Sequence, residues 1–187
     1  MLRSGYAGTG LVELLGAAGV PKGSFYNHFD SKEEFGLALV GRYYDRHDRL
    51  LAALIAQADR SPLERVRSYF EALLQRAVDA SPQARGCLLG MFALEMSGSS
   101  EPLRKAVSDA FVRWQARIAE LLRQAQTTGE LDPEPDPQPL AAMLLAGWEG
   151  ALMRSRVSRD LEGLRNFIEF AFSRLLVPGS APAERER

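Results

Sequence analysis

Cysteine is almost missing from this 187-residue chain: Cys87 stands alone, which excludes an intramolecular disulfide framework and a multi-cysteine zinc site and fits a reducing cytoplasm. Histidine is scarce as well, with only His28 and His47, too few for a His-rich metal centre. No apolar run approaches the roughly 18 residues that cross a bilayer, and Met1 is not followed by a basic stretch and an apolar core of the signal-peptide kind. These absences point to a cytoplasmic protein without a membrane partner. An excess of either charge is also lacking: 23 Lys and Arg face 24 Asp and Glu, for a formal net charge of −1. The overall balance therefore announces neither a polyanion nor a lipid surface. Paired carboxylates, a Ser-His-Asp set and a phosphate loop are missing too, so a helical-bundle enzyme has no support, and neither a cofactor nor a metal is expected. No internal repeat is visible.

What is present is 46% apolar and 25% charged residues, enough for a sizeable core in one domain or in a small module joined to a larger one. Apolar positions recur at three and four rather than at two, so the fold class is all-α. Leu103, Val107, Phe111, Trp114, Ile118, Leu121 and Ala125 hold one face of a long helix over 102–127. A second stripe runs Leu63, Val66, Phe70, Leu73 and Ala77, with Pro62 just inside its start. Further stripes run Leu140, Leu144, Trp148 and Leu152, then Leu161, Leu164, Ile168, Phe172 and Leu175. Short Ser-, Gly- and Pro-bearing breaks separate them, and the prolines at 133, 135, 137 and 139 read as a stiff connector.

The first 60 residues have another texture. Thr9 is placed to cap a short helix over 10–17 whose apolar face is Leu11, Leu14, Leu15 and Ala18, and Gly19 supplies a sharp turn. A second short helix follows over Lys22–Phe29, with Val20, Phe25 and Phe29 facing inward. Ser31 and Glu34 then form a capping box that opens a much longer helix, to about Ala58. Two short helices about a glycine turn are the pattern of a helix-turn-helix, whose second helix must offer small or polar side chains to the major groove. Lys22, Gly23, Ser24, Tyr26, Asn27 and His28 form such a face.

The run Gly5-Tyr6-Ala7-Gly8-Thr9, with Ala17-Ala18-Gly19-Val20-Pro21-Lys22-Gly23-Ser24-Phe25-Tyr26-Asn27-His28-Phe29-Asp30-Ser31-Lys32-Glu33-Glu34-Phe35, closely resembles the DNA-binding domain of the tetracycline-repressor (TetR) family, including its Tyr-x-His-Phe-x-x-Lys signature. The resemblance implies a helix-turn-helix domain over 1–46 and a helical ligand-binding and dimerisation domain over 47–177, while the polar, stripe-less residues 178–187 read as a flexible tail. It implies phosphate contacts from Thr9, Tyr26, His28 and Lys32. Lys22, Gly23 and Asn27 are then candidates for base edges, Lys22 for guanine and Asn27 for adenine, with Ser24 suited to either. Family members carry an N-terminal arm and a further helix before the Gly-Tyr stretch, where this chain has only Met1–Ser4. A chain that begins here leaves Leu11, Leu14, Leu15 and Phe25 partly uncovered, and a poorly ordered or shifted N-terminal domain is the expectation.

In the family, a small-molecule effector bound in the C-terminal domain releases the operator. Candidate liners are Phe70, Cys87, Met91, Phe92, Met96, Phe111, Trp114, Met143 and Trp148, each of which can equally be plain core. Cys87 follows Arg85-Gly86 near a helix start, where a cation and a helix N-terminus favour thiolate. Its setting resembles the subgroup that includes the N-ethylmaleimide-responsive repressor, although a lone cysteine among apolar neighbours is also an ordinary core residue. The last two helices, with Gly147, Gly150, Ala151, Phe167, Phe170 and Leu175, are the expected surface of a homodimer that would match a palindromic operator. Two readings follow: a ligand-responsive repressor of double-stranded DNA, or a sensor and dimerisation protein that has lost DNA binding and serves as a heterodimer partner or ligand sink.

Overall fold

The computed structural model describes residues 5–178. It contains eight α-helices: α1 (Leu11–Ala18), α2 (Lys22–Tyr26), α3 (Lys32–Ile55), α4 (Pro62–Asp79), α5 (Leu88–Met96), α6 (Glu101–Thr127), α7 (Pro137–Ser158) and α8 (Glu162–Phe170). A 3₁₀ turn at Pro82–Ala84 precedes α5, and a π-helical turn at Ala171–Leu175 prolongs α8. There is no strand among the described residues. The expected tail lies, from residue 179 onward, outside them.

Local chemistry sets most helix starts. Ser61 and Glu64 make a complete capping box with Pro62 in the first turn of α4. Ser100 and Asp136 cap α6 and α7 by accepting the backbone N–H groups of Leu103 and Gln138. At α3, Ser31 accepts the Glu34 N–H at 3.1 Å, but the Glu34 carboxylate reaches one residue further back, to Asp30 N at 2.6 Å, so the box is wider than expected. Thr9 does not cap α1. Gly10 occupies that position, and the Thr9 hydroxyl donates to Gly5 O at 2.5 Å, because residues 5–9 close on themselves as a turn. Gly19 ends α1 at φ +66°, a left-handed conformation that returns its N–H to Gly16 O and that of Val20 to Leu15 O.

Two other expectations about α2 are corrected. It ends at Tyr26 rather than Phe29, because the N–H groups of His28 and Phe29 both turn onto Phe25 O. Val20 is 39% exposed instead of facing inward, while Phe25 is buried against Phe29 and Phe35. The core of α1 is thin: Leu15 is buried, Leu11 and Leu14 are half-buried, and Val12 faces outward.

Helix α6 is the central post, packed against α3, α4, α5 and α7. Its buried face is Leu103, Val107, Ala110, Trp114, Ile118, Leu121, Leu122 and Ala125. Phe111 is only half-buried, since Ala110 lies nearer the axis of that stripe and position 111 falls one residue round the helix. Phe70, Trp148 and Phe167 form an aromatic cluster, with ring centroids 5.3–5.8 Å apart, that joins α4, α7 and α8. A Cβ on Gly147 would stand 2.9 Å from the Phe167 ring, so this glycine and this ring serve packing within the chain instead of surplus surface. Helix α3 runs unbroken past residues 46 and 47, so the expected division between the two domains falls inside one helix that serves both.

Candidate functional site

The first site is the outward face of α2. Lys22, Gly23, Tyr26, Asn27 and His28 are exposed and Ser24 is half-buried around the buried anchor Phe25. Two neighbours placed with them by sequence are differently engaged. The Lys32 ammonium donates to Tyr6 O at 2.7 Å and lies 4.5 Å above the Tyr6 ring, while the Tyr6 hydroxyl donates to Lys32 O at 2.7 Å. Thr9 is 5% exposed, its hydroxyl already bonded to Gly5 O. Both residues therefore tie the turn of residues 5–9 together and to α3.

That turn also docks on the second half of the molecule. Tyr6 is buried, its ring centroid 4.7 Å from that of Phe92 on α5, and Ala7 N donates to Glu95 Oε2 at 2.7 Å. Ser100, at the head of α6, donates to Glu33 Oε1 at 2.5 Å.

The second site is a cavity of about 370 Å³, open to solvent on one side and bounded by α3, α4, the 82–87 segment, α6 and α7. Its apolar walls include Leu73, Trp114, Trp148 and Leu152. Its polar equipment was not anticipated: Tyr43, Arg46, His47, Arg76 and Glu149 line it with Cys87. His47 is 3% exposed, with Nδ1 2.8 Å from the Tyr69 hydroxyl. Burial, with Arg76 and Arg46 nearby, lowers its pKa to about 3, so the ring is neutral. Burial raises Glu149 to about 7. Among the described residues, His47 Nε2, Arg76 Nη1 and Glu149 Oε1 are buried without a protein hydrogen-bond partner.

Cys87 corrects the thiolate expectation. It does sit at the head of α5, but Arg85 turns away to donate to Ala77 O at 3.0 Å, and a carboxyl, that of Glu149, faces the sulfur instead. Burial first and that carboxyl second push the thiol well above its ordinary value. Of the other expected liners, Trp114 and Trp148 reach this cavity. Met91 and Phe111 line, with Cys87, an adjoining and more apolar cavity of about 410 Å³. Phe70 and Phe92 are fully packed core, in contact with Trp148 and Tyr6 respectively, and Met143 is 61% exposed on the outer face of α7. Met96, half-buried, packs against the core.

Residues 1–39 match the model for bacterial regulatory proteins of the tetR family, and residues 62–171 match that for the tetracyclin repressor-like C-terminal domain. The chain belongs to the TetR family. This regulator is 33% identical over 175 residues to the HTH-type transcriptional repressor DhaR of Mycobacterium sp. strain GP1, a match spanning 94% of this chain and 86% of that protein. It is 37% identical over 167 residues to the transcriptional regulator AcuR of Cereibacter sphaeroides, covering 89% and 76%. Its fold is similar to the crystal structure of the reduced form of Escherichia coli NemR, with a TM-score of 0.80, 32% identity and coverage of 96% and 93%. A regulatory protein TetR from Rhodobacter sphaeroides superposes with a TM-score of 0.87 at 37% identity, covering 94% and 93%. As a TetR-family member the chain is a helix-turn-helix regulator and not an enzyme.

The polar residues of this TetR-family cavity do leave a trace in the sequence. His47 interrupts the buried stripe Val40, Tyr44, Leu51 and Leu54 of α3, and Glu149 follows Trp148 between Leu145 and Leu152 of α7. A titratable group on the inward side of an amphipathic helix is the signal.

Proposed function

We infer that this chain is a ligand-responsive transcriptional repressor that binds a palindromic operator as a homodimer and leaves it when a small molecule occupies the C-terminal domain. The carrying observation is the face of α2, where five exposed groups suited to DNA surround one buried phenylalanine, in a chain whose relatives include named repressors. Lys22, Gly23 and Asn27 are assigned to base edges, Tyr26 and His28 to phosphates, and Ser24 to either. Lys32 and Thr9 act on DNA indirectly, by holding residues 5–9 against α3. The dimer is assigned to α7 and α8, where Met153, Val157 and Phe170 are exposed apolar residues.

No helix among the described residues is long and apolar enough to cross a membrane. A gel shift with DNA flanking the gene tests the reading. The chain should retard a palindromic fragment, with affinity falling steeply as salt rises. Lys22→Ala should weaken binding by about 1–3 kcal/mol and relax preference at one base pair of each half-site. Retardation that is insensitive to both Lys22→Ala and Asn27→Ala removes the assignment.

A further inference from the structure

The charge around the 370 Å³ cavity is lopsided. Three guanidinium groups line it, those of Arg46, Arg76 and Arg85, against the carboxylate of Asp79 and the Glu149 carboxyl. Arg85 is committed to the carbonyls of Ala77 and Asp160. Asp79 is exposed and accepts from Gln75 at 2.9 Å. Arg46 and Arg76 take part in no ion pair among the described residues, and Arg46 lies 5.4 Å from the centre of the Tyr43 ring.

Burying an arginine nitrogen without an acceptor is costly, and such a group is retained where something else supplies the acceptor. Arg76 Nη1 is one such atom, and His47 Nε2 is a second unpartnered nitrogen in the same wall, on a side chain almost wholly buried. When the Tyr69 hydroxyl donates to Nδ1, the other ring nitrogen carries the proton and becomes a donor too. The buried Trp114 Nε1 is a third donor without a partner, and these donors beside a second free guanidinium ask for an anion whose acceptors are compact. The remaining wall, Leu73, Trp114, Trp148 and Leu152, asks for an apolar body. The volume sits at the small end of the range of about 300–1,000 Å³ typical of ligand sites.

We propose that the effector of this regulator is a small monocarboxylate, its carboxylate held by Arg76 and His47 with Arg46 beside them and its apolar body laid between Trp114 and Trp148. The proposal rests on the reading of this cavity as the effector site. Glu149 lies beside Cys87 and Tyr43, whose ring stands 4.6 Å from that of His47, and its carboxyl, raised to about 7, is mostly protonated below neutral pH, where it offers a hydrogen bond with little repulsion of the bound anion. Gly90 of α5 makes room for that carboxyl, for a Cβ there would meet Glu149 Oε2 at 2.9 Å.

Calorimetric titration of the full chain with benzoate and hexanoate, each paired with its neutral isostere benzamide or hexanamide, tests this without DNA. Both acids should bind at least about ten-fold more tightly than their amides, a difference of about 1.4 kcal/mol. Arg76→Gln should bring that ratio close to unity, and Arg76→Lys should restore part of it, with unchanged melting curves showing that both variants fold. Amides binding as well as acids, no binding of either acid, or an acid preference that survives Arg76→Gln in a folded variant would each overturn the proposal. A parallel gel shift separates the two readings. Acids that bind through Arg76 yet leave the operator complex intact uphold the ligand class and reject ligand-released repression.

Discussion

Glu149 and His47 share one cavity and pull the pH dependence of stability in opposite directions. The Glu149 carboxyl moves from 4.5 to about 7 on folding, so between those values the folded chain keeps a proton that the unfolded chain has released. Its contribution is complete below pH 4.5 and is lost as pH rises through 7. His47 moves from 6.5 to about 3, so its contribution is complete above pH 6.5 and is lost as pH falls toward 3. Glu149→Gln should therefore remove the decline on the alkaline side and spare the acid limb. Denaturant melts at pH 5 and pH 8 should show the variant recovering about 2 kcal/mol relative to the parent at the higher pH, less than the full shift because the cavity opens to water. An alkaline limb that is as steep in Glu149→Gln assigns the decline to another group. The order of residues marks His47 and Glu149 as titratable groups on inward helix faces but does not show that they meet, because Tyr43, His47, Arg76, Cys87 and Glu149 lie on three helices and the loop before α5, and only packing brings them to one wall. Cys87 shows the same limit: Arg85 two residues before it argues for a thiolate, and burial, with Glu149 facing the sulfur, decides against it.

At the scale of single helices the sequence is far more transparent. Helix α4 begins and ends where its stripe and its breaks place it, because Ser61, Pro62 and Glu64 write the start in local chemistry. Removing that chemistry has a defined cost: Ser61→Ala should destabilise the fold by about 1 kcal/mol in urea melts, and a cost below the error of the measurement would mean that tertiary packing alone holds the start of α4. Gly19→Ala should cost about 1–2 kcal/mol, since an alanine at φ +66° is strained although open space surrounds it. Its effect should appear as lost protection from hydrogen exchange in α1 and α2, with α6 unchanged. Helices are misread at finer detail: α2 stops three residues early because Phe25 O takes two N–H groups, and in α6 Ala110 is buried in the stripe where Phe111 is only half-buried.

For the molecule as a whole, the telling contacts are those between the reading head and the sensor. Tyr6 against Phe92, Ala7 on Glu95, and Ser100 on Glu33 join regions that sequence patterns treat as separate modules. Glu95→Ala should leave α4 to α8 intact by circular dichroism while raising hydrogen exchange at Ala7 and weakening operator binding several-fold; unchanged exchange at Ala7 would show that this bond does not secure the turn. Gly5 and Gly36 mark how close that docking is, since a Cβ on the first would overlap the Glu95 carboxylate and one on the second would stand 3.0 Å from the Tyr6 ring. The Ala7–Glu95 bond also spans 88 positions of chain, which gives it a place in time. The turn of residues 5–9 leaves the ribosome well before its acceptor on α5 is synthesised. An early-made segment of the DNA-reading half is thus locked late, and a nascent chain halted before residue 95 holds helices without a fixed reading head.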